Sequence, residues 1–342
     1  MALVNGMGTT FNLPNYHGEL FLVTPTTTPL LSMAGGIGGG KTTDNPSFEW
    51  QAEDLRAPAS RPRLEGDDAP APEARSRTNL ENVLQIFHES VSTSYTKQGA
   101  FGQYTGAGTT EDPTEETGED VAFSYTTNGG SPNPVTNEHA HQVRLTLTQI
   151  ARDVNYVFWN GTYAKPNTNA TERTTQGLIE AITNGINGSS NVVPAAAADL
   201  SFDLLGQLLQ SVYENGGITE EETATLFVSP FQKRQLTQAY ATANTDLYQG
   251  TRNVGGLNVQ TIHTDFGTLN VVVERVLPAG TVAVVSMDQV DPVFMNIPGK
   301  GVLFEEELAK TGASEKTQIY GEIGLKFGNP LAHGLITGLS TS

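Results

Sequence analysis

The sequence predicts an α+β fold, in which helices and strands are grouped along the chain and do not alternate as regular βαβ units. Three observations support this class. A strand-rich stretch begins near Phe48, one long amphipathic helix follows around Gln149, and short strands dominate from Leu257 onward. The 36 glycines fit turns and hairpins better than a helical bundle.

Two stretches show little sign of a core of their own. Residues 1–47 are rich in Gly, Thr, Pro and Asn, and we expect an extended N-terminal arm that docks through Leu30–Met33 on another surface. Residues 100–135 combine Gly, Thr and Pro with an acidic cluster between Glu111 and Asp120, which predicts a surface insertion. The ligand spacing of a calcium loop is absent from this insertion.

Residues 48–99 are predicted to form a long two-stranded hairpin. Phe48–Gln51 alternates apolar and polar residues, and Val83–Tyr95 is dense in β-branched and aromatic residues. The stretch between them is charged and rich in proline, which predicts an irregular tip. Because an isolated hairpin is only marginally stable in water, we expect this one to rest on a neighbouring molecule. A hairpin folded back on its own domain is the alternative.

The clearest predicted helix covers residues 137–160. Its apolar residues recur every three or four positions and form one stripe, centred on Leu147, Ile150 and Val154. Asn137 is expected to cap the start of this helix, and Gly161 is expected to end it.

The rest of the chain is predicted to mix shorter helices with strands. The expected helices lie at about 175–184, 201–214 and 230–242. The expected strands are Thr225–Val228, Leu257–Ile262, Leu269–Val273, Val282–Met287, Pro292–Phe294, Val302–Leu308 and Thr317–Phe327. Asp265–Gly267 reads as the glycine turn of an antiparallel pair and not as a kinase magnesium motif, because the other kinase motifs are missing.

Composition narrows the possible functions. Charged residues make up only 16% of the chain, against roughly 25% in an ordinary soluble domain, which suggests a surface covered by copies of the same chain. The net charge is −18, from 19 basic and 37 acidic residues, and no basic stripe is visible, so direct binding of nucleic acid is disfavoured. The chain has no cysteine, which excludes disulfides and thiolate metal sites. We expect neither a secretory signal nor a membrane span, and therefore a soluble protein made in a cytoplasm.

One motif suggests a different class of protein. Gly35 to Thr42 matches the phosphate-binding loop of nucleotide hydrolases, which needs a buried strand before it and a helix after it. Pro25 and Pro29 precede the motif and Pro46 follows it, so neither element is expected. We therefore interpret the glycines as a flexible joint between the arm and the hairpin.

No other group of residues forms a catalytic or cofactor site. His139 and His141 lie two positions apart near a helix start, so they point to different sides of the helix and share a metal only if that turn is extended. Glu305–Glu307 is expected to be a partly solvated strand. The sequence thus predicts no catalytic, cofactor-binding or metal-binding residues.

Several short stretches carry a resemblance to a known family. They are Tyr16–Phe21, Thr24–Pro25, Thr28–Met33, Phe48–Gln51, Asp54–Leu55, Gln149–Asp153, Gly161 and Gly177–Leu178. Together they resemble the SU10-like group of tailed-phage major capsid proteins. The resemblance covers most of the chain and is most specific over residues 16–55 and 140–180.

The resemblance implies the HK97 capsid fold. Its parts would be an N-terminal arm, an extended loop called the E-loop, a spine helix, and axial and peripheral domains. The implied boundaries are 1–47 for the arm, 48–99 for the E-loop, 136–172 for the spine helix and peripheral domain, 173–290 for the axial domain, and 291–342 for strands returning to the peripheral domain. The acidic insertion at 100–135 departs from the family pattern.

The implied function is a shell protein and not an enzyme. Such a subunit would assemble with itself into hexamers and pentamers, forming the icosahedral head of a virion around double-stranded DNA, after assembly in the cytoplasm of the host bacterium. A separate scaffolding protein, a portal and a decoration protein would be its other partners, and the negative charge would let packaged DNA slide without specific binding. Two alternatives remain: a P-loop nucleotide hydrolase carried by Gly35 to Thr42, and an encapsulin-like nanocompartment shell.

Overall fold

The computed structural model describes residues 22–53, 55–56, 58–71, 73, 77–99, 137–168, 170–218, 224–243 and 261–341. The predictions for the start of the arm, for the acidic insertion at 100–135 and for the first residues of the strand at 257–262 lie outside these ranges. The described chain divides into two compact units. One unit contains the described residues within 22–26, 90–147 and 306–318, and the other contains those within 27–89, 148–305 and 319–341.

Helices and strands follow the order expected for an α+β fold. The helices are α1 (Pro29–Met33), α2 (Tyr95–Gly99), α3 (Glu138–Asn160), α4 (Leu178–Asn184), α5 (Phe202–Glu214) and α6 (Pro230–Ala243). The strands are β1 (Lys41–Thr43), β2 (Ser47–Glu53), β3 (Arg77–Val83), β4 (Gln85–Ser94), β5 (Val192–Pro194), β6 (Ala224–Val228), β7 (Thr261–Thr264), β8 (Gly267–Val273), β9 (Val282–Ser286), β10 (Asp291–Met295), β11 (Leu303–Glu307), β12 (Ser314–Lys326) and β13 (Gly334–Thr337).

A six-stranded sheet holds a hydrophobic core. Its order is β5-β13-β9-β6-β8-β7, and its centre is β9, whose five residues are all buried. Helix α5 buries Leu205, Leu208, Leu209 and Val212 in this core, at spacings of three and four residues. The β7–β8 pair is antiparallel and turns at Asp265–Gly267, as the sequence predicted.

A second sheet has the order β1-β10-β12-β11, and β4 also pairs with β12. Strand β1 joins its edge in parallel with β10, so that Lys41 lies opposite Val293. The prediction that 291–342 returns as one group differs from the structure at its last strand. Gly334–Thr337 pairs with β9 and β5 of the six-stranded sheet, because its apolar residues complete the core there.

The predicted hairpin exists, but its return strand was placed too late in the sequence. Strand β2 pairs antiparallel with β3 over seven residue pairs, from Ser47 opposite Val83 to Glu53 opposite Arg77. The β-rich stretch after Val83 instead forms β4, which pairs with β12. The predicted single strand 83–95 therefore overlooked Arg77–Val83, which is rich in polar residues.

Helix α3 begins and ends where the sequence predicted. The Asn137 side chain caps it by accepting a 3.1 Å hydrogen bond from the amide of Ala140. Ile150 and Val154 are almost fully buried, as expected, but Leu147 is 36% exposed and was wrongly placed at the centre of the buried stripe. The stripe continues instead through Phe158 and Trp159, and the Trp159 ring packs edge-on against Phe227 of β6 at 5.0 Å.

A buried carboxylate fixes α3 to the end of β8. Glu274 is fully buried and accepts hydrogen bonds from Trp159 Nε1 at 3.2 Å and from Asn155 Nδ2 at 3.3 Å. The amides of Arg275 and Val276 donate to the same carboxylate. Asn155 in turn accepts a 3.1 Å bond from the amide of Leu31, so the same network also holds α1. This buried polar group is accommodated because each of its two oxygens accepts a hydrogen bond.

Candidate intersubunit hairpin

The candidate site is the hairpin formed by β2, β3 and the segment between them. We call residues 47–83 the assembly hairpin and its described residues within 55–73 the tip. Every described residue of the tip is exposed, and none of them lies in a helix or strand. No described side chain of the tip is therefore fully buried by the chain that carries it.

The base of the assembly hairpin is fixed by Trp50. Its indole Nε1 donates a 2.7 Å hydrogen bond to the carbonyl oxygen of Gly328. The Trp50 ring packs edge-on against Phe327 at 4.9 Å and stacks on Phe48 at 5.9 Å. Because alternate residues of a strand share a face, the alternation of Phe48 and Trp50 in β2 directs both rings to the same side.

Asn82 is the second anchor, and it is fully buried. Its Nδ2 group donates to the carbonyl oxygens of Leu325, at 2.7 Å, and of Gln176, at 3.1 Å. Its Oδ1 atom accepts from the amides of Val83 and Gln176, both at 2.8 Å. The side chain thus satisfies four bonds and ties β3 to β12 and to the segment before α4.

A third contact lies on the more exposed side of the base. The Glu81 carboxylate accepts hydrogen bonds from Lys165 Nζ and from the Tyr163 hydroxyl, both at 2.6 Å. The bond from Lys165, and next the bond from Tyr163, lower the pKa of Glu81, and the same ion pair raises the pKa of Lys165. Burial and the bond to Glu81 raise the pKa of Tyr163, which keeps its hydroxyl protonated as a donor.

The glycine motif at Gly35 to Thr42 has a structural role. It connects the five-residue helix α1 to β1, and Lys41 and Thr42 belong to that strand. Lys41 Nζ lies 2.5 Å from Asp291 Oδ2, and this bond raises the pKa of Lys41. The motif ends within strand β1, where a phosphate-binding loop needs the start of a helix, so the nucleotide-hydrolase alternative lacks its structural context.

The interpretation of these glycines as a flexible joint is also wrong. A Cβ atom on Gly40 would lie 2.0 Å from the carbonyl oxygen of Pro292, so only glycine lets β1 approach β10 this closely. Gly35, Gly36 and Gly38 have positive φ angles of 112°, 73° and 98°. The motif is a tight turn that depends on glycine geometry.

His139 and His141, which were considered as metal ligands, make separate contacts in the structure. His139 shares hydrogen bonds with the hydroxyls of Thr93, at 3.0 Å, and Thr317, at 2.8 Å. His141 Nδ1 lies 3.5 Å from Arg144. Among the described residues, no three or more His, Asp or Glu side chains are grouped so that they could hold a metal ion. Within the same residues, no helix is both long and apolar enough to cross a membrane.

Comparison with known proteins identifies the family. A sequence profile of the SU10 major capsid protein matches residues 3–340, so the chain belongs to the SU10 major capsid protein family. Members of such a family build capsid shells, which is a structural role. No curated protein sequence matches the chain significantly.

Solved structures show the same fold at low sequence identity. The capsid subunit of Cyanophage A-1(L) aligns with a TM-score of 0.67 at 12% identity, covering 96% of this chain and 97% of that one. The capsid of Cyanophage P-SCSP1u gives 0.59 at 11% identity, covering 99% and 97%. The SrpI encapsulin of Synechococcus elongatus PCC 7942 gives 0.54 at 12% identity, covering 97% and 93%. The chain has the HK97-like capsid fold. Its family match is to a major capsid protein, which leaves the encapsulin-like shell only as an alternative.

Proposed function

We propose that this major capsid protein assembles as hexamers and pentamers into an icosahedral head around double-stranded DNA, and that the assembly hairpin lies over a neighbouring subunit as the E-loop. The observation that carries the proposal is the contrast within the hairpin. Its base is held by buried Asn82 and by Trp50, whereas the whole described tip is exposed. A fixed base with an uncovered tip suits a contact made with another molecule.

The energetics support an intermolecular role. A two-stranded ribbon is marginal in water unless one face is covered. Seven strand residues extend about 23 Å at the usual rise per residue, which is far enough to reach a second subunit. We therefore expect the hairpin to be stabilised most when another copy of the chain covers it.

The domain assignment follows from the same proposal. Helix α3 would be the spine, and the sheet that contains β6 and β9 would form the axial domain near the capsomer centre. Strands β10 and β12 would belong to the peripheral domain. Strand β13 would belong to the axial domain with its sheet partner β9.

The net charge of −18 supports a shell that encloses DNA without gripping it. Scaffolding, portal and decoration proteins are the further partners we propose. The proposed place of assembly is the cytoplasm of a bacterial host, and the proposed final location is the virion.

The test compares the wild-type chain with a variant in which residues 60–74 are replaced by two glycines. Circular dichroism and thermal melting measure folding, while analytical ultracentrifugation and electron microscopy measure capsomers and shells. We expect the variant to melt like the wild type and to lose most of its assembly. Equal assembly by both proteins would refute the role of the hairpin. A wild-type chain that stays monomeric under all assembly conditions would refute the shell function.

A further inference from the structure

The tip of the assembly hairpin is organised before it meets a partner. Glu73, on the returning arm, bridges two arginines of the outgoing arm. Its carboxylate oxygens lie 3.1 Å from Arg56 Nε and 2.5 Å from Arg61 Nη1. One carboxylate thus closes the loop in two places, and we call these two ion pairs the clamp.

Two further features restrict the tip. Pro58, Pro62 and Pro70 fix their φ angles and favour extended backbone on both arms. At the apex, the amide of Asp67 donates a 3.2 Å hydrogen bond to the carbonyl oxygen of Leu64. Gly66 has a φ of 82° at the third position of this turn, as a type II turn requires. The apex therefore has a defined shape although it has no regular secondary structure.

The turn presents an apolar side chain at the point farthest along the chain from the base. Leu64 is 82% exposed, and it is surrounded in sequence by Arg63, Glu65 and Asp67. A single exposed leucine on a surface is ordinary. This one is held at the apex of a constrained turn, and the described residues around it are all exposed as well. Ordering the loop in advance removes part of the entropy cost of docking.

We propose that Leu64 is the apolar anchor by which the tip docks into a second copy of this chain, and that the Glu73 clamp preorganises the tip for that contact. The occupant is a second copy because the chain belongs to a family whose members build shells from copies of themselves. This inference rests on the proposed shell function and adds to it the residues that determine docking.

The clamp residues are 41–45% exposed, so we expect little effect of the clamp on the stability of the isolated subunit. Its effect should appear in assembly instead. This separates a preorganising role from a merely structural one, because a structural role would change the melting temperature.

The experiment measures the threshold concentration for capsomer and shell formation by light scattering and analytical ultracentrifugation, with circular dichroism as the check on folding. Leu64→Ser should raise the threshold about tenfold, since the leucine that the proposed contact would bury is replaced by a polar group. Leu64→Met is the matched control, and it should assemble within about twofold of the wild type because it keeps the apolar volume.

The clamp is tested by charge exchange. Glu73→Arg should raise the threshold about threefold, and the triple variant Arg56→Glu, Arg61→Glu, Glu73→Arg should return it to within about twofold of the wild type. A folded Leu64→Ser variant with the wild-type threshold would refute the docking role of Leu64. A triple variant with a threshold as high as that of Glu73→Arg would refute the role of the clamp. Both results leave the shell function standing, whereas a wild-type chain that never assembles would remove it together with this inference.

Discussion

Asn82 Nδ2 donates a 2.7 Å hydrogen bond to the carbonyl oxygen of Leu325, which joins the end of the β2–β3 pair to β12. Asn82 lies at the end of β3, opposite Phe48, and Leu325 lies opposite Pro292 in the β10–β12 pair. The direction in which the assembly hairpin leaves the sheet is therefore set by a buried amide as well as by apolar packing.

Replacing Asn82 should be costly for folding. Asn82→Ala leaves two carbonyl oxygens and two amides without their partner in a buried site, and we expect a loss of about 2–4 kcal/mol in the free energy of unfolding. Urea denaturation followed by circular dichroism measures the loss. Asn79→Ala is the control, because Asn79 is exposed on the same strand and its removal should cost less than about 0.5 kcal/mol. Similar losses in the two variants would contradict the anchor role of Asn82.

The spine helix offers a second matched pair. Ile150 is 1% exposed, so Ile150→Asp places an unpaired carboxylate in the core, and we expect a loss of more than about 4 kcal/mol and no soluble subunit. Leu147 is 36% exposed, and Leu147→Asp should fold with a loss below about 1 kcal/mol. Soluble yield and melting temperature measure both. If both variants lost soluble yield and melting temperature equally, Leu147 would belong to the buried stripe as the sequence predicted.

The glycine turn should depend on its shape and not on its charge. Gly40→Ala forces a Cβ atom against the carbonyl oxygen of Pro292 and should destabilise the subunit by about 2 kcal/mol or more, as β1 is pushed away from β10. Lys41→Ala removes an ion pair whose lysine side chain is 57% exposed and should cost less than about 1 kcal/mol.

Differential scanning calorimetry compares the stability of Gly40→Ala with that of Lys41→Ala. Neither the wild type nor Lys41→Ala should bind ATP in equilibrium dialysis. Saturable ATP binding by the wild type that is lost in Lys41→Ala would revive the nucleotide-binding alternative.

His333 predicts a loss of stability in acid. It is fully buried, its Nδ1 accepts from the amide of Ser286 at 3.1 Å, and its Nε2–H donates to the carbonyl oxygen of Phe327 at 2.9 Å. Burial lowers the pKa of His333 from 6.5 to about 4. In the unfolded chain His333 therefore binds a proton near pH 6.5, whereas in the folded chain it binds one only near pH 4.

The contribution of His333 to stability is complete above pH 6.5 and falls by about 3 kcal/mol as the pH drops to 4. Urea unfolding at half-unit pH steps measures how the free energy of unfolding changes with pH. His333→Gln should make this change smaller between pH 6.5 and 5. The lowered pKa of Glu81 adds its own loss only below the usual carboxyl pKa of 4.5, so the two groups act in different windows. An unchanged slope in His333→Gln would assign the acid sensitivity to other groups.

The sequence by itself determined the parts of this protein that depend on local pattern. The helical period fixed α3 from Asn137 to its end before Gly161, and continuous apolar runs marked buried strands such as Val282–Ser286, because neighbouring residues decide these features. The residues shared with the SU10-like group gave the family, which the profile match confirmed. The hairpin was predicted as well, with its first strand correctly placed at Phe48.

The tertiary structure alone decided which partners each segment has. Arg77–Val83 becomes the return strand because β2 lies beside it, although its polar sequence gives a weaker strand signal than the stretch after it. The short strands β1, β5 and β13 exist because the edges of longer strands hold them. Leu147 fits the apolar period of α3, yet nothing in that period tells whether another element of the chain covers it. Asn82 gave no sequence signal at all, since a buried amide is recognised only by the carbonyl oxygens and amides that distant segments bring to it.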